Sequence, residues 1–122
     1  MTQALRSARV EIDFEASAFN RAIYDLGWGD GLPCIPPTED LVFEYVAASG
    51  RPADFVVAVL APRNVECTVE KIAVNAALTG APLASMPLLI AAVEAIAHVD
   101  FGLPGVNATT ACVAPAFFVN GP

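Results

Sequence analysis

The residues best suited to chemistry lie in a short helical stretch beyond the middle of the 122-residue sequence. Lys71 and Asn75 are four residues apart, which places both on one face of a helix, and Glu70 lies about 100° round the axis from Lys71. A lysine beside a carboxylate and an amide can transfer protons or bind a carbonyl group. Glu70 and Lys71 are therefore candidate catalytic residues, and Asn75 is a candidate substrate ligand. The competing interpretation is a solvated helix face.

A second candidate site is the stretch of residues 27–37, which contains three glycines and three prolines. Flexible glycines and rigid prolines together suit a loop that lines a pocket. The side chains in this loop that could bind a substrate are an aromatic ring, a carboxylate and a thiol, namely those of Trp28, Asp30 and Cys34. The alternative is a connection between helices in which Trp28 and Ile35 fill the core.

A third group of candidates follows residue 108, in a polar break between apolar stretches. The hydroxyls of Thr109 and Thr110 are candidate substrate ligands, and the thiol of Cys112 is a candidate nucleophile or metal ligand. The alternative is that Cys112 is a small buried apolar residue, because no neighbouring positive charge would activate its thiol.

Several functional classes have no motif in the sequence. The single histidine, His98, has no serine in a nucleophile-elbow context to form a catalytic triad with. Phosphate-binding glycine loops, HExxH and EF-hand patterns are absent. The three cysteines, without CxxC spacing, indicate reduced thiols. No particular cofactor or metal is indicated.

Composition narrows the class of protein further. With 6 Lys and Arg against 13 Asp and Glu, the net charge of −7 excludes a basic nucleic-acid-binding surface. No apolar stretch reaches the roughly 18 to 20 residues of a membrane span, and residues 1–15 contain neither the hydrophobic run nor the cleavage site expected of a signal peptide. A hydrophobic content of 56% exceeds what one small domain needs for its core. We therefore expect a cytoplasmic protein that binds neither nucleic acid nor membrane and buries part of its surface against another chain.

The elements that must position these residues form an α/β or α+β fold with about four helices and a small sheet that a partner chain completes. We expect residues 1–12 to be an extension and residues 13–122 to be a single domain. Helices are predicted at Phe14–Leu26, between a Thr38 cap and Gly50, between a Thr68 cap and Gly80, and at Pro87–His98; strands are predicted at Phe55–Leu60, fully buried, and at Ala114–Val119.

Four separated motifs add a family resemblance. They are Gly-Trp-Gly-Asp-Gly-Leu-Pro-Cys-Ile-Pro-Pro-Thr-Glu at 27–39, Thr-Val-Glu-Lys-Ile-Ala-Val-Asn-Ala at 68–76, Gly-Val-Asn-Ala-Thr-Thr at 105–110, and Val-Asn-Gly-Pro at 119–122. In this order they resemble the bacterial UGSC-type family, often labelled thiol-disulfide oxidoreductase or selenoprotein-like. The resemblance covers most of the chain from about Asp13 onward.

The resemblance implies a split protein. The family's polypeptide continues beyond the Asn-Gly-Pro turn, and its thiol or selenol motif belongs to a separate module, so a second chain would supply the missing half of the fold. The family tends to carry a histidine and a proline after the two threonines, where this chain has Ala111 and Cys112. Any role of that histidine would therefore pass to Cys112 or be lost.

The expected function is that of a small subunit of a heteromeric cytoplasmic enzyme. It would act on a small organic metabolite bearing a carbonyl or carboxylate group, in a pocket shared with its partner. The alternative is a non-catalytic subunit that stabilises or gates a catalytic partner. A third possibility, an independent redox thiol protein, requires two of the cysteines to meet.

Overall fold

The fold is α+β in a computed structural model that describes residues 4–13 and 15–121. Within these residues, five α-helices accompany one antiparallel sheet of two strands. In chain order the elements are α1 (Ala16–Asp25), α2 (Glu39–Ser49), β1 (Val56–Leu60), β2 (Val65–Thr68), α3 (Val69–Thr79), α4 (Met86–Ala97) and α5 (Leu103–Ala108). Short 3-10 turns at Leu83–Ser85 and Val99–Phe101 precede α4 and α5.

The predictions for α2 and α3 are confirmed together with their capping residues. The hydroxyls of Thr38 and Thr68 each accept the backbone N–H of the third helical residue, which satisfies one of the donors left free at a helix start. Both helices end at a glycine with a φ of 67°, Gly50 and Gly80. This left-handed conformation suits glycine, so each helix stops where the sequence predicts.

The core lies between α2, α3 and α4. Its buried side chains are Val42, Tyr45, Val69, Ile72, Ala73, Ala76, Ala77, Met86 and Ile90. The predicted fourth helix is confirmed as α4, displaced by one residue at each end. Tyr45 also donates its hydroxyl hydrogen to the carbonyl of Ala81, which ties α2 to the segment before α4.

The sheet differs from the prediction in two respects. The first strand exists as β1, but it is not fully buried, because Val59 is 54% exposed. The sequence did not indicate β2, which pairs with β1 in antiparallel register from Val56 opposite Thr68 to Leu60 opposite Val65. Because β2 is short and half polar, only its pairing with β1 identifies it as a strand.

Two predictions at the ends of the chain are also corrected. No strand forms at Ala114–Val119, since no neighbouring strand offers hydrogen bonds there within the described residues. A further helix that was not predicted, α5, forms at Leu103–Ala108. The first helix begins at Ala16, and the Phe14 position of the prediction lies outside the described residues.

The hairpin of β1 and β2 is joined directly to α3. The last residue of β2, Thr68, is the N-cap of α3. The first two helical N–H groups, those of Val69 and Glu70, donate to the carbonyls of Phe55 and Ala53 at 3.0 and 2.9 Å. The start of α3 is therefore held by hydrogen bonds to the backbone that precedes β1, and it is joined through Thr68 to β2.

Residues 5–9 lie along this junction in a segment that is neither helix nor strand. We call Leu5–Arg9 the strap. Its leucine packs against the core, and its two arginines pair with Asp54 at 3.8 Å and Glu39 at 2.7 Å. The predicted extension thus contacts the domain through both apolar and polar groups.

The surface is large for the size of the chain. It measures 8574 Å², whereas a compact monomer of this mass exposes about 6,200 Å². Residues 109–121, which we call the arm, contribute to the excess: every one is exposed, and Phe118 is 91% exposed. The apolar surplus in the composition is thus visible as exposed side chains.

Candidate functional site

A polar pocket of about 240 Å³ lies where the strap crosses the start of α3. The strap, the segment before β1, β2 and the first turn of α3 each contribute to its walls. Its lining residues are Arg6, Ser7, Asp54, Glu66, Thr68, Glu70 and Lys71. The pocket therefore brings together the two candidate catalytic residues of α3 and surrounds them with further charged groups.

Glu70 fastens the strap to the fold. Its side chain is only 4% exposed, and its carboxylate accepts the backbone N–H of Arg6 at 2.9 and 3.1 Å and that of Ser7 at 2.7 Å. Burial raises the pKa of Glu70, but hydrogen bonds from Ser7 and Arg6 outweigh it, so the pKa lies below its ordinary value. Glu70 is thus an ionised acceptor whose hydrogen bonds serve the strap.

Lys71 is the exposed cation of the pocket. Its ammonium donates one hydrogen bond to the carbonyl of Glu66 at 2.6 Å, which leaves two donors for a ligand. Close to Lys71 lies the thiol of Cys67, whose own partial burial raises its pKa, although the positive charge of Lys71 opposes this shift. The Cys67 thiol is therefore a poor nucleophile at neutral pH.

Asn75 shares the helix face of Lys71, as the spacing predicts, but its amide turns back to the helix. The amide nitrogen donates to the carbonyl of Lys71 at 2.8 Å. Asn75 does not line the polar pocket. The structure therefore brings Glu70 and Lys71 to one pocket without adding the predicted amide.

The backbone at the start of α3 is closed to an incoming anion. Helix N-termini often bind anions through free N–H groups. Here the N–H groups of Val69 and Glu70 donate to carbonyls, and that of Lys71 donates to the Thr68 hydroxyl. An anion in this pocket would therefore be held by side chains, those of Lys71 and Arg6.

The predicted loop, residues 27–37, is ordered by hydrogen bonds to two helices. Trp28 N–H donates to the carbonyl of Ile23 at 3.0 Å, Cys34 N–H to the side chain of Asn20 at 2.7 Å, and Ile35 N–H to the carbonyl of Leu78 at 3.0 Å. These bonds fix the loop against the ends of α1 and α3.

Close packing at Gly29 adds to this order. A Cβ atom there would lie 2.9 Å from Cγ2 of the buried Ile23, so only glycine fits without displacement. The carboxylate of Asp30 accepts Leu32 N–H at 3.0 Å, an interaction typical of a turn. The polar groups of Asp30 and Cys34 thus take part in local hydrogen bonds.

The loop directs apolar side chains outward. Trp28 is 52% exposed and Leu32 69% exposed, so the alternative in which Trp28 fills the core is not what the structure shows. The polar pocket and a second, larger groove are both lined by other parts of the chain.

The third group of candidates stays apart from the polar pocket. Thr109, Thr110 and Cys112 are exposed at the beginning of the arm, and the Thr109 hydroxyl accepts Ala111 N–H at 3.2 Å. Cys34, Cys67 and Cys112 are all free cysteines.

Sequence reasoning missed the pocket residues outside α3. They are Arg6, Ser7, Asp54, Glu66 and Thr68. Two of them, Arg6 and Ser7, bind the carboxylate of Glu70 through backbone N–H groups. Every residue except proline has such a group, so no local sequence pattern distinguishes these two. The one available signal was the charge of Arg6, one of only six Lys and Arg residues in a chain with 13 Asp and Glu.

The structure therefore defines an α+β protein with a polar pocket closed by its own N-terminal strap. No family model and no curated protein matches the sequence, and no solved structure matches the fold. The resemblance to the UGSC-type family remains a prediction.

The described residues also bear on metal binding and membrane insertion. Across residues 4–13 and 15–121, no three His, Cys, Asp or Glu side chains group as metal ligands would. In the same residues no single helix is long and apolar enough to cross a membrane; the stretches Leu83–Ala97 and Val99–Ala108 meet that test only as a pair bent by 68°.

Proposed function

We propose that this chain is the small, non-catalytic subunit of a heteromeric cytoplasmic enzyme and that it binds its partner through residues 24–35. One observation carries the proposal: five large apolar side chains are exposed within these twelve residues. They are Tyr24, Leu26, Trp28, Leu32 and Ile35. Clustered apolar exposure of this kind is typical of interaction surfaces.

The ordered backbone of the loop supports an interface. Because hydrogen bonds to α1 and α3 already hold Trp28, Cys34 and Ile35, the loop loses little conformational freedom when a partner binds. An aromatic ring on a rigid backbone is a common source of binding energy at interfaces.

The charges around this surface indicate the chemistry of the partner. Asp25 and Asp30 are exposed within the same twelve residues, which contain no lysine or arginine. A partner surface that is apolar at its centre and basic at its rim would complement them. A second copy of this acidic chain would bring carboxylate against carboxylate, so the partner at this surface is a different protein.

The hydrogen bonds of the candidate catalytic groups support the non-catalytic role. Of the three candidate catalytic residues, Glu70 holds the strap, Lys71 donates to the carbonyl of Glu66, and the exposed thiol of Cys112 lies on the arm. In this proposal the partner supplies the reacting groups, and the small subunit stabilises the fold around them.

The test is co-expression with the product of the neighbouring gene, followed by native mass spectrometry. We expect a stable complex containing both chains. A Trp28→Ser/Leu32→Ser double variant should weaken it by about 100-fold or more, because two exposed anchors are lost. The matched control is Leu88→Ser on α4, which removes a similarly exposed apolar side chain outside the loop. Absence of the complex, or a complex that the double variant leaves intact, would refute the proposal.

A second candidate function is supported by the polar pocket. Lys71 and Arg6 line it together with three carboxylates, of which Asp54 pairs with Arg6 and Glu70 binds the strap. The ammonium of Lys71 retains two free donors, so it is the group that could bind a small carboxylate there. This candidate retains a substrate-handling role for the subunit, with Lys71 as the residue that touches the substrate.

Titration with succinate, followed by the amide resonances of the protein, distinguishes this candidate. We expect shifts at Glu66 and Lys71 in the wild type and loss of those shifts in Lys71→Met, because the positive charge is removed. Arg63→Met, which removes an exposed cation outside the pocket, should bind succinate like the wild type. Equal binding by all three proteins would exclude Lys71 as the ligand.

A further inference from the structure

The arm, residues 109–121, is an apolar segment that the described fold leaves uncovered. It contains neither helix nor strand, and all its residues are exposed. Four large apolar side chains lie on it, those of Val113, Phe117, Phe118 and Val119. An apolar segment of this size in water favours burial against another surface.

A groove of about 450 Å³ lies next to the origin of the arm. Its walls come from β1, the end of α4, the following 3-10 turn and the start of α5. Apolar side chains such as Val59, Val99 and Leu103 line it, and Val99 is 84% exposed. Its volume falls in the range of pockets that bury a ligand side chain or small molecule.

The arm and the groove match each other in charge. All 19 charged residues of the chain lie within its first 100 positions, so the arm carries none. The lining of the groove also lacks Asp, Glu, Lys and Arg; its one titratable side chain, His98, lies 3.5 Å from the carboxylate of Asp100. Two copies with a net charge of −7 repel each other over most of their surface, but not where both surfaces are uncharged.

The geometry of α5 permits exchange between two copies, and no residue of the arm lines the groove of its own chain. This helix starts at the groove and ends at the arm, and its six residues span about 9 Å. The thirteen residues of the arm can extend about 40 Å. When two copies meet groove to groove, each arm begins close to the groove of the other copy. Reciprocal exchange then closes the assembly as a two-fold dimer.

We propose that the arm of one copy binds in the groove of a second copy, in a symmetric dimer. The chain exposes some 2,300 Å² more than a compact monomer of its mass, and a standard interface buries about 800 Å² on each partner. This excess is a value for the whole chain, and the exposed apolar side chains of the arm and Val99 of the groove contribute to it. This dimer uses different residues from the surface at 24–35, so it stands independently of the proposed function.

The first test measures the mass of the full chain in solution over a wide concentration range by light scattering. We expect a dimer for the wild type. Phe117→Ser/Phe118→Ser in the arm and Val99→Asp in the groove should each raise the dissociation constant by about 100-fold or more. Val65→Asp on β2 places the same carboxylate on another exposed valine outside the groove, and it should remain dimeric. Circular dichroism should show equal folding, since the changed side chains are exposed.

The second test identifies the contact. A Phe118→p-benzoylphenylalanine chain is mixed with a wild-type chain labelled with heavy nitrogen, illuminated, and mapped by mass spectrometry. We expect crosslinks from the arm to Val59 or Val99 of the labelled copy. Crosslinks confined to one copy would show that the arm folds back on its own groove. That result, or a wild-type monomer at every concentration, would overturn the proposal.

Discussion

We expect the Glu70→Gln variant to release the strap and to lower the free energy of unfolding by about 1–3 kcal/mol. Glutamine keeps the size of the side chain but offers one carbonyl oxygen where the carboxylate accepts N–H groups from both Arg6 and Ser7. It also introduces two donors that would face those N–H groups. Trypsin should then cleave after Arg6 and Arg9 faster than in the wild type, and urea unfolding should begin earlier.

The wild type and the Glu70→Gln variant should differ in free energy of unfolding, and the pH dependence of that difference tests the charge of Glu70 directly. Its pKa is lowered in the fold from an ordinary value of 4.5, so its contribution to stability is complete above that pH. The contribution is lost as the pH falls through the folded pKa. The urea midpoints of wild type and Glu70→Gln should therefore differ by a constant amount at neutral pH and converge in acid.

Glu66→Gln is the matched control for this experiment. It removes a carboxylate from the same pocket without altering the bonds from the strap. Its proteolysis should equal that of the wild type. A strap that is equally protected in both variants would show that Glu70 does not hold it.

The second large effect is expected for Met86→Ala, which should lower the free energy of unfolding by about 2–5 kcal/mol. Met86 has no exposed surface and lies in the core between α2, α3 and α4. Truncation leaves a cavity that these packed helices cannot fill completely. Urea unfolding followed by circular dichroism measures the loss, which is a large fraction of the stability of a small domain.

The comparison for Met86→Ala is Leu88→Ala, two residues further along α4. Leu88 is exposed, so its truncation should change the free energy of unfolding by less than about 0.5 kcal/mol. Similar losses in the two variants would contradict the assignment of the core to this face of α4.

The best predicted parts of the fold were those with local signals. A threonine before α2 and α3 and a glycine after each mark their ends, because capping depends on a few neighbouring residues. The position of Lys71 and Asn75 on one helix face follows from helix geometry alone. Glu70 and Lys71 are neighbours in the sequence, but the pocket that they line depends on the strap.

The parts that could not be predicted depend on distant contacts. β2 is a strand because β1 lies beside it, and the strap is placed by a carboxylate more than sixty residues away. The start of α5, Leu-Pro-Gly, suggests a turn by composition, yet the segment is helical and Asn107 bonds to the carbonyl of Ala61. The outward direction of Trp28 likewise follows from hydrogen bonds to α1 and α3.

The backbone bonds between the hairpin and α3 have a consequence for how the chain opens. Because Val69 and Glu70 donate to carbonyls of residues that lead into β1, separating the hairpin from the helix leaves both donors unpaired. Hairpin and helix therefore form one cooperative unit. The strap depends on that unit, since Glu70 belongs to it, whereas the arm has no bond to either element among the residues described. Fluctuations of the arm thus leave the hairpin and α3 closed, while opening of the hairpin frees the N-terminus as well.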